Sequence, residues 1–220
     1  MARILVVGGS SGTGLACVRE ALARGHEVRM FARSATRTEL AHERLEKLDG
    51  DALVDADVAR ALDGVEVVLQ TLGVPLNLKL VTGPITLFSE ATAVLLPAMA
   101  SAGVRRLVAL TGFGAGDSYP AVTALQRPGF RLVLGKAYDD KGEQERMIRA
   151  SGLSWTIARP GVLRNGPKTG RYRVLLDPAD WKNGIIRRAD VADFMVTAAE
   201  SEEYAGKAPV LIERGLPLIG

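Results

Sequence analysis

The sequence predicts an α/β fold, a doubly wound, mostly parallel sheet with helices on both faces, built as a single domain over residues 1–220. Three observations carry that reading. One unit recurs along the chain: a helical pattern, a glycine, then an apolar strand. The strands are near-continuous runs of Val, Ile and Leu, the composition of strands covered on both faces. The first strand, finally, empties into a glycine-rich turn that opens a helix.

Taken in order, RILVV at 3–7 is the first strand, and LACVREALARG after the turn is the first helix. The helix-to-strand unit then appears as ALARGHEVRMF, ARALDGVEVVLQT, AMASAGVRRLVAL and IRASGLSWTIA. In these, Gly25, Gly64, Gly103 and Gly152 supply the left-handed residue that ends a helix. VRMFARS is the second strand, the third ends at Asp51 and Ala52, VEVVLQ at 65–70 is the fourth, and RLVALT at 106–111 is the fifth. The sixth closes on Arg159-Pro160-Gly161. Asp190 reads as an N-cap for the helix VADFMVTAAES, and APVLIE at 208–213 as a last edge strand. Two irregular stretches, 73–85 and 112–136, leave the carboxyl ends of strands, where this architecture binds ligands. They are the expected walls of a substrate pocket.

Composition narrows the function. The chain has 47% hydrophobic residues, 28 basic against 25 acidic side chains and a net charge of +3, too small an excess and too dispersed for a nucleic-acid partner. An anionic small molecule fits better. No apolar run is long enough for a membrane span and no signal segment is present, so the expectation is a soluble cytoplasmic protein, monomer or homodimer. One cysteine, Cys17, and two isolated histidines, His26 and His42, give no disulfide and no metal site.

The turn itself runs Gly8-Gly9-Ser10-Ser11-Gly12-Thr13-Gly14. A tight turn, close backbone approach to a diphosphate and exposed amides at a helix N-terminus are demands that glycine meets together. The spacing is GxxxGxG through Gly8, Gly12 and Gly14. With it, FARS at 31–34, GDALVDADVARALDGVEVV at 50–68, TLG at 71–73, SAGVRRLVALT at 101–111, DDKGEQERMIRASGLSWTIARPG at 139–161 and RRADVADFM at 187–195 resemble the atypical short-chain dehydrogenase/reductases. Within them the chain is most similar to NmrA-like NAD(P)H-binding proteins and biliverdin-IXβ/flavin reductases. The atypical members usually carry GxxGxxG; here Ser11 replaces the middle glycine, which alters the expected loop geometry.

The resemblance implies a Rossmann fold and a set of roles. Ser10, Ser11 and Thr13 join the three glycines around the cofactor diphosphate. After the second strand, where an NAD enzyme places an acid for the adenosine ribose, this chain has Arg33, with Ser34 and Arg37 following, a set that suits a 2′-phosphate and therefore NADP(H). The same arginines also read as solvated charges at a helix entry. Asp51 and Ala52 match positions beside the adenine; Thr71, Leu72 and Gly73 match a segment passing the ribose and diphosphate; Pro160 matches the backbone facing the nicotinamide.

Lys141 fits the lysine of the family's Tyr-x-x-x-Lys pair, with Glu145 one turn later as its ion-pair partner, and Thr111 fits the Ser/Thr position. The tyrosine position, however, is Ala137. Tyr138, displaced by one, is either a replacement acid sharing a helix face with Lys141 or an aromatic at a loop-to-helix junction. Phe113, Tyr119, Phe130 and Trp181 are candidate platforms for a flat substrate. The missing tyrosine points to an NADPH-dependent reductase acting on a conjugated acceptor such as a flavin, linear tetrapyrrole or quinone, because such an acceptor spreads charge and takes its proton from solvent. A non-catalytic NADP(H) sensor of the NmrA type and a sugar-nucleotide epimerase are the alternatives.

Overall fold

In the computed structural model the described residues are 1–74, 85–125 and 127–215, with backbone only at 129–133. The chain runs β1 (Arg3–Val7), α1 (Gly12–Ala23), β2 (Glu27–Ala32), β3 (Leu45–Asp49), α2 (Asp55–Leu62), β4 (Val67–Gln70), α3 (Leu87–Ser101), β5 (Arg106–Leu110), α4 (Arg127–Ala150), β6 (Ser154–Pro160), β7 (Val162–Arg164), β8 (Tyr172–Leu175), β9 (Ile185–Arg187), α5 (Arg188–Glu200) and β10 (Val210–Glu213).

Eight strands form one sheet in the order β3-β2-β1-β4-β5-β6-β10-β8, parallel except for the last pair. The first six follow the doubly wound Rossmann order, with the reversal between β1 and β4 opening the ligand crevice. Register is set by the central strand: Val6 lies opposite Met30 of β2 and Leu69 of β4. Because strand side chains alternate, Ile4 and Val6 enter the core layer under α1 and α5, while Leu5 and Val7 enter the layer under α2, α3 and α4. The expected helix-ending glycines do take the left-handed conformation, with φ of +89° at Gly25, +68° at Gly64, +71° at Gly103 and +70° at Gly152.

Three local expectations change. α4 begins at Arg127, so residues 127–136 are helical and only the first part of the 112–136 stretch is irregular. Pro128 suits a first helical turn, and the helix runs through Gly129 and Gly135 despite the low helix propensity of glycine. Of the other stretch, residues 75–84 lie outside the described residues. Asp190 is not a cap. α5 starts two residues earlier, and the buried Asp190 carboxylate accepts from Thr169 N, Thr169 Oγ1 and Gly170 N at 2.7, 2.8 and 2.9 Å, anchoring the preceding loop. β10 is interior, because β8 folds back antiparallel against it and takes the edge. A separate parallel pair, β7 with β9, follows the carboxyl end of β6.

Candidate functional site

The glycine turn is shaped by what each missing side chain allows. Gly8 has φ +84°, and its N–H donates to Phe31 O at 2.9 Å, tying the turn to β2. A Cβ on Gly14 would overlap the Gly8 carbonyl and stand 2.6 Å from Thr71 Oγ1, so only glycine lets α1 seat this close to the sheet. Gly12, φ +54°, faces open space instead, with Arg188 Nε at 3.9 Å from its hypothetical Cβ as the nearest atom. Ser11 makes no side-chain cap, and the first turn of α1 holds no acid. Those free amides form a ready anion site. Ser10 is half-buried, Ser11 exposed and Thr13 buried.

Beyond β2, Arg33 and Arg37 are exposed and Ser34 half-buried beside a short 3₁₀ turn, Ala35–Arg37. Asp49 at the end of β3 fixes that turn, accepting from Thr36 N at 2.9 Å and Thr36 Oγ1 at 2.6 Å. The hydroxyl bond first, then the amide, holds the Asp49 carboxyl below its ordinary range. Asp51 and Ala52 lie beyond β3 instead of ending it. The Asp51 carboxylate accepts from Leu53 N at 3.0 Å, a local turn bond, and Ala52 packs on the core. Thr71 is buried, its hydroxyl donating to Val7 O at 2.8 Å to lock β4 to β1. Leu72 and Gly73 follow directly, and a Cβ on Gly73 would meet nothing within 4 Å.

At the carboxyl end of β5 the structure rearranges the expected chemistry. Thr111 Oγ1 donates to Glu145 Oε1 at 2.7 Å. Glu145 is ion-paired to the fully buried Arg159, which also pairs with Asp117 and places its guanidinium 5.0 Å from the Trp181 ring centre. Glu145 is therefore the partner of Arg159 and Thr111, not the ion-pair partner expected for Lys141. Lys141 Nζ donates to Thr111 O at 3.1 Å and more weakly to Leu110 O at 3.4 Å, and lies 4.1 Å from the Phe88 ring centre. Burial pushes its pKa down to about 8 against the opposing pull of Glu145 and Asp140.

Tyr138 does lie on α4, three residues before Lys141, and its hydroxyl rests on Gly112, where a Cβ would be only 2.5 Å away. Sequence reasoning overlooked Gly112. It is the residue that faces Tyr138, and its lack of a side chain makes room for the displaced ring; Thr111 points to the other side of the chain. Burial pushes the Tyr138 hydroxyl up to about 12. Ala137 is buried among Phe88, Leu72 and Leu134. Asp140 caps α3 from α4, accepting from Phe88 N at 2.8 Å and Ser89 N at 3.2 Å, which fixes the stretch of helix that carries Lys141.

A cavity of about 310 Å³ opens here, lined by Gly114, Gly116, Tyr119, Gly135, Tyr138, Asp139 and Gly142. Tyr119 reaches it as expected. Phe113 does not, being 3% exposed in a core cluster with Val122, Leu175, Val210 and Ile212. Trp181 packs on the same cluster and donates from Nε1 to Leu175 O at 3.1 Å. Apolar packing claimed these two rings. Phe130 falls on α4, but its side chain lies outside the described residues. At the end of β6 the backbone is already engaged: Pro160 O accepts from Phe113 N at 2.9 Å, and Gly161 N donates to Leu211 O at 3.0 Å. Only the second lone pair of Pro160 remains for a ligand. Among the described residues no group of three His, Cys, Asp or Glu side chains is placed to hold a metal, and no helix is long and apolar enough to cross a membrane.

The fold and the open glycine turn define a dinucleotide-binding protein, and the chain belongs to the NAD(P)H-binding family whose model matches residues 8–202. That family agrees with the resemblance of its motifs to the atypical short-chain dehydrogenase/reductases and their NmrA-like group. ChuY from Escherichia coli O157:H7, described as an anaerobilin reductase, is 26% identical, superposes with a TM-score of 0.81 and covers 99% of both chains. An uncharacterised sugar epimerase, YhfK, from Bacillus subtilis is 30% identical over 129 residues, which are 59% of this chain and 55% of that one. The chain thus spans about half the length of that curated relative. A short-chain dehydrogenase/reductase from Veillonella parvula solved with NADP shares the fold, with a TM-score of 0.81 at 18% identity over 98% of this chain and 96% of that one.

Proposed function

We propose that the protein is an NADPH-dependent reductase that transfers hydride to a flat, conjugated acceptor of the flavin, linear-tetrapyrrole or quinone type. The observation that carries this is the fate of the acid groups beside the cavity. A carbonyl acceptor becomes an alkoxide as hydride arrives and needs a positioned proton donor. Here the family's tyrosine position is a buried alanine, the Thr111 hydroxyl spends its one proton on Glu145, and the Tyr138 hydroxyl is made a weaker acid by burial. An acceptor that delocalises the charge tolerates such a site. The cavity walls agree: four of its seven lining residues are glycine and two are tyrosine, leaving flat surfaces suited to a ring system. The likeness to ChuY, an anaerobilin reductase by its description, supports an acceptor of this kind. An epimerase working through a keto sugar would have to return hydride to the carbonyl carbon and a proton to its oxygen, and the missing tyrosine argues against it.

In this reading the diphosphate of the cofactor lies on the Gly8–Gly14 turn, with Ser10, Ser11 and Thr13 beside it. Arg33, Ser34 and Arg37 receive the 2′-phosphate, Thr71, Leu72 and Gly73 pass the ribose, and Lys141 holds the nicotinamide ribose with the N–H not committed to backbone carbonyls. The bound nicotinamide supplies the hydride; the chain orients it and keeps the pocket flat. NADPH oxidation followed at 340 nm with FMN, riboflavin, quinones and biliverdin tests the proposal. Turnover with at least one is expected. Tight NADPH binding with no turnover on any acceptor would overturn it in favour of a cofactor sensor.

A further inference from the structure

Arg188 stands where a cation is electrostatically out of place. Its guanidinium lies over the first turn of α1, Nε 3.9 Å from where a Gly12 Cβ would be. That turn has neither a side-chain cap nor an acidic residue. Arg188 is also the first residue of α5, whose N-cap, Arg187, offers no side-chain cap. A helix N-terminus carries roughly half a positive charge, so the guanidinium lies over the bare pole of α1, while the pole of α5 is offset by Asp190 in its first turn.

Among the described residues no carboxylate forms an ion pair with it, and Nη1 donates to the neutral Asn165 Oδ1 at 2.9 Å. The negative charge in the first turn of its own helix, Asp190, directs both carboxylate oxygens to the neutral donors of Thr169 and Gly170 and makes no ion pair with Arg188. Other cations nearby are matched: Arg164 and Arg187 to Glu213 at 2.7 and 3.5 Å, Lys168 to Glu20 at 2.8 Å, Arg24 to Asp193 at 2.8 Å. A guanidinium held in place by an amide, set over a bare helix N-terminus and without an ion-pair partner, is an arrangement that an anion between the two would complete.

We infer that Arg188, positioned by Asn165, closes over the diphosphate of the dinucleotide from the side opposite the glycine turn and is a cofactor-binding residue of this chain. The inference rests on the placement of the diphosphate at that turn. It assigns Arg188 to the part common to NADPH and NADH, in contrast to Arg33, which serves the 2′-phosphate alone. Arg188 is half-buried and its removal takes away a repelled charge, so the apo protein loses little by its replacement.

The test is titration by intrinsic fluorescence of the parent, Arg188→Ala, Arg188→Lys and Gly12→Val with NADPH, NADH, ADP-ribose and 2′-AMP, together with apo melting curves. Arg188→Ala should weaken the three diphosphates alike, by about ten- to hundredfold, as expected for one or two charge-assisted bonds, and leave 2′-AMP unchanged. Arg188→Lys should recover part of the loss. The apo melting temperature of Arg188→Ala should stay level or rise. Parent-like affinity in Arg188→Ala while Gly12→Val loses binding would overturn the inference alone, as would equal losses for 2′-AMP with a lowered melting temperature. Retained binding in folded Gly12→Val would overturn the placement of the diphosphate, and this role for Arg188 with it.

Discussion

The two halves of the cleft are made of opposite materials. Around β1 and α1 the surface is backbone: Gly8, Gly12 and Gly14 clear space, Ser11 leaves the helix amides free, and the nearest charge, Arg188, comes from another helix. Around β5 and α4 the surface rests on buried side-chain charge, with Arg159, Glu145 and Lys141 stacked behind a glycine-lined cavity. A backbone cradle grips any diphosphate and needs little support, because amides carry no net charge to bury. A polar core beneath a flat pocket instead demands that every charge be matched, and the matching fixes where Thr111 and the 112–121 segment lie. In the proposed function the first half is a generic binding device, and the second selects the acceptor.

That contrast breaks most sharply at Glu145. Replacing it with Ala strips the buried Arg159 of its main partner and leaves only Asp117, which is 58% exposed. We expect a loss of about 3–5 kcal/mol in unfolding free energy, with the double variant Glu145→Leu/Arg159→Met recovering much of it. Urea denaturation checks this; a loss under about 1 kcal/mol in the single variant would mean that the acceptor half does not depend on its buried ions.

Lys141 sharpens the same point through pH. Its folded pKa of about 8 lies below its ordinary 10.5, so the folded state binds that proton more weakly than the unfolded chain. The burial cost is present in full below pH 8 and fades as the pH rises from about 8 to 10.5. Relative to Lys141→Met, the parent apo protein should therefore gain on the order of 3 kcal/mol across that window. A flat difference between the two denaturation profiles would place the lysine in water.

On the binding half, Arg33→Ala should remove most of the preference for NADPH over NADH, a change of about ten- to hundredfold in the ratio of dissociation constants, while NADH affinity stays near the parent's. Equal affinity of the parent protein for both cofactors would remove the premise. The smallest effect is expected at Tyr138. With solvent as proton source, single-turnover NADPH oxidation by Tyr138→Phe should slow by less than about tenfold. A loss of about a hundredfold or more, with a large solvent isotope effect, would make Tyr138 the general acid.

Much of the binding half was legible from residues close together in the chain. The turn, the strand order implied by the helix–glycine–strand unit, and the basic Arg33-Ser34 shelf are local patterns. The acceptor half was legible only in part. The spacing of Ala137, Tyr138 and Lys141 on one helix could be read directly, and the helix does include all three. Phe113 and Trp181 were misplaced because an aromatic in a loop gives no sign of whether packing or ligand will claim it. Glu145 was assigned the wrong partner because its i−4 neighbour was visible and Arg159, across the core, was not. Gly112 left a faint signal, a glycine directly after a threonine at a strand end, and reading it needed the ring that packs against it.

The sequence by itself determined the alternation of helices and buried strands, the left-handed glycines and the glycine turn, since all of these depend on backbone conformation and on periodicity within a few residues. Tertiary structure alone decided that Thr111 turns its proton toward Glu145, that Asp140 caps a helix far away in the chain, and that Arg188 stands over Gly12. Those pairings join residues tens to more than a hundred positions apart, and they form because buried charges and bare helix ends must be satisfied by whatever group the fold brings near.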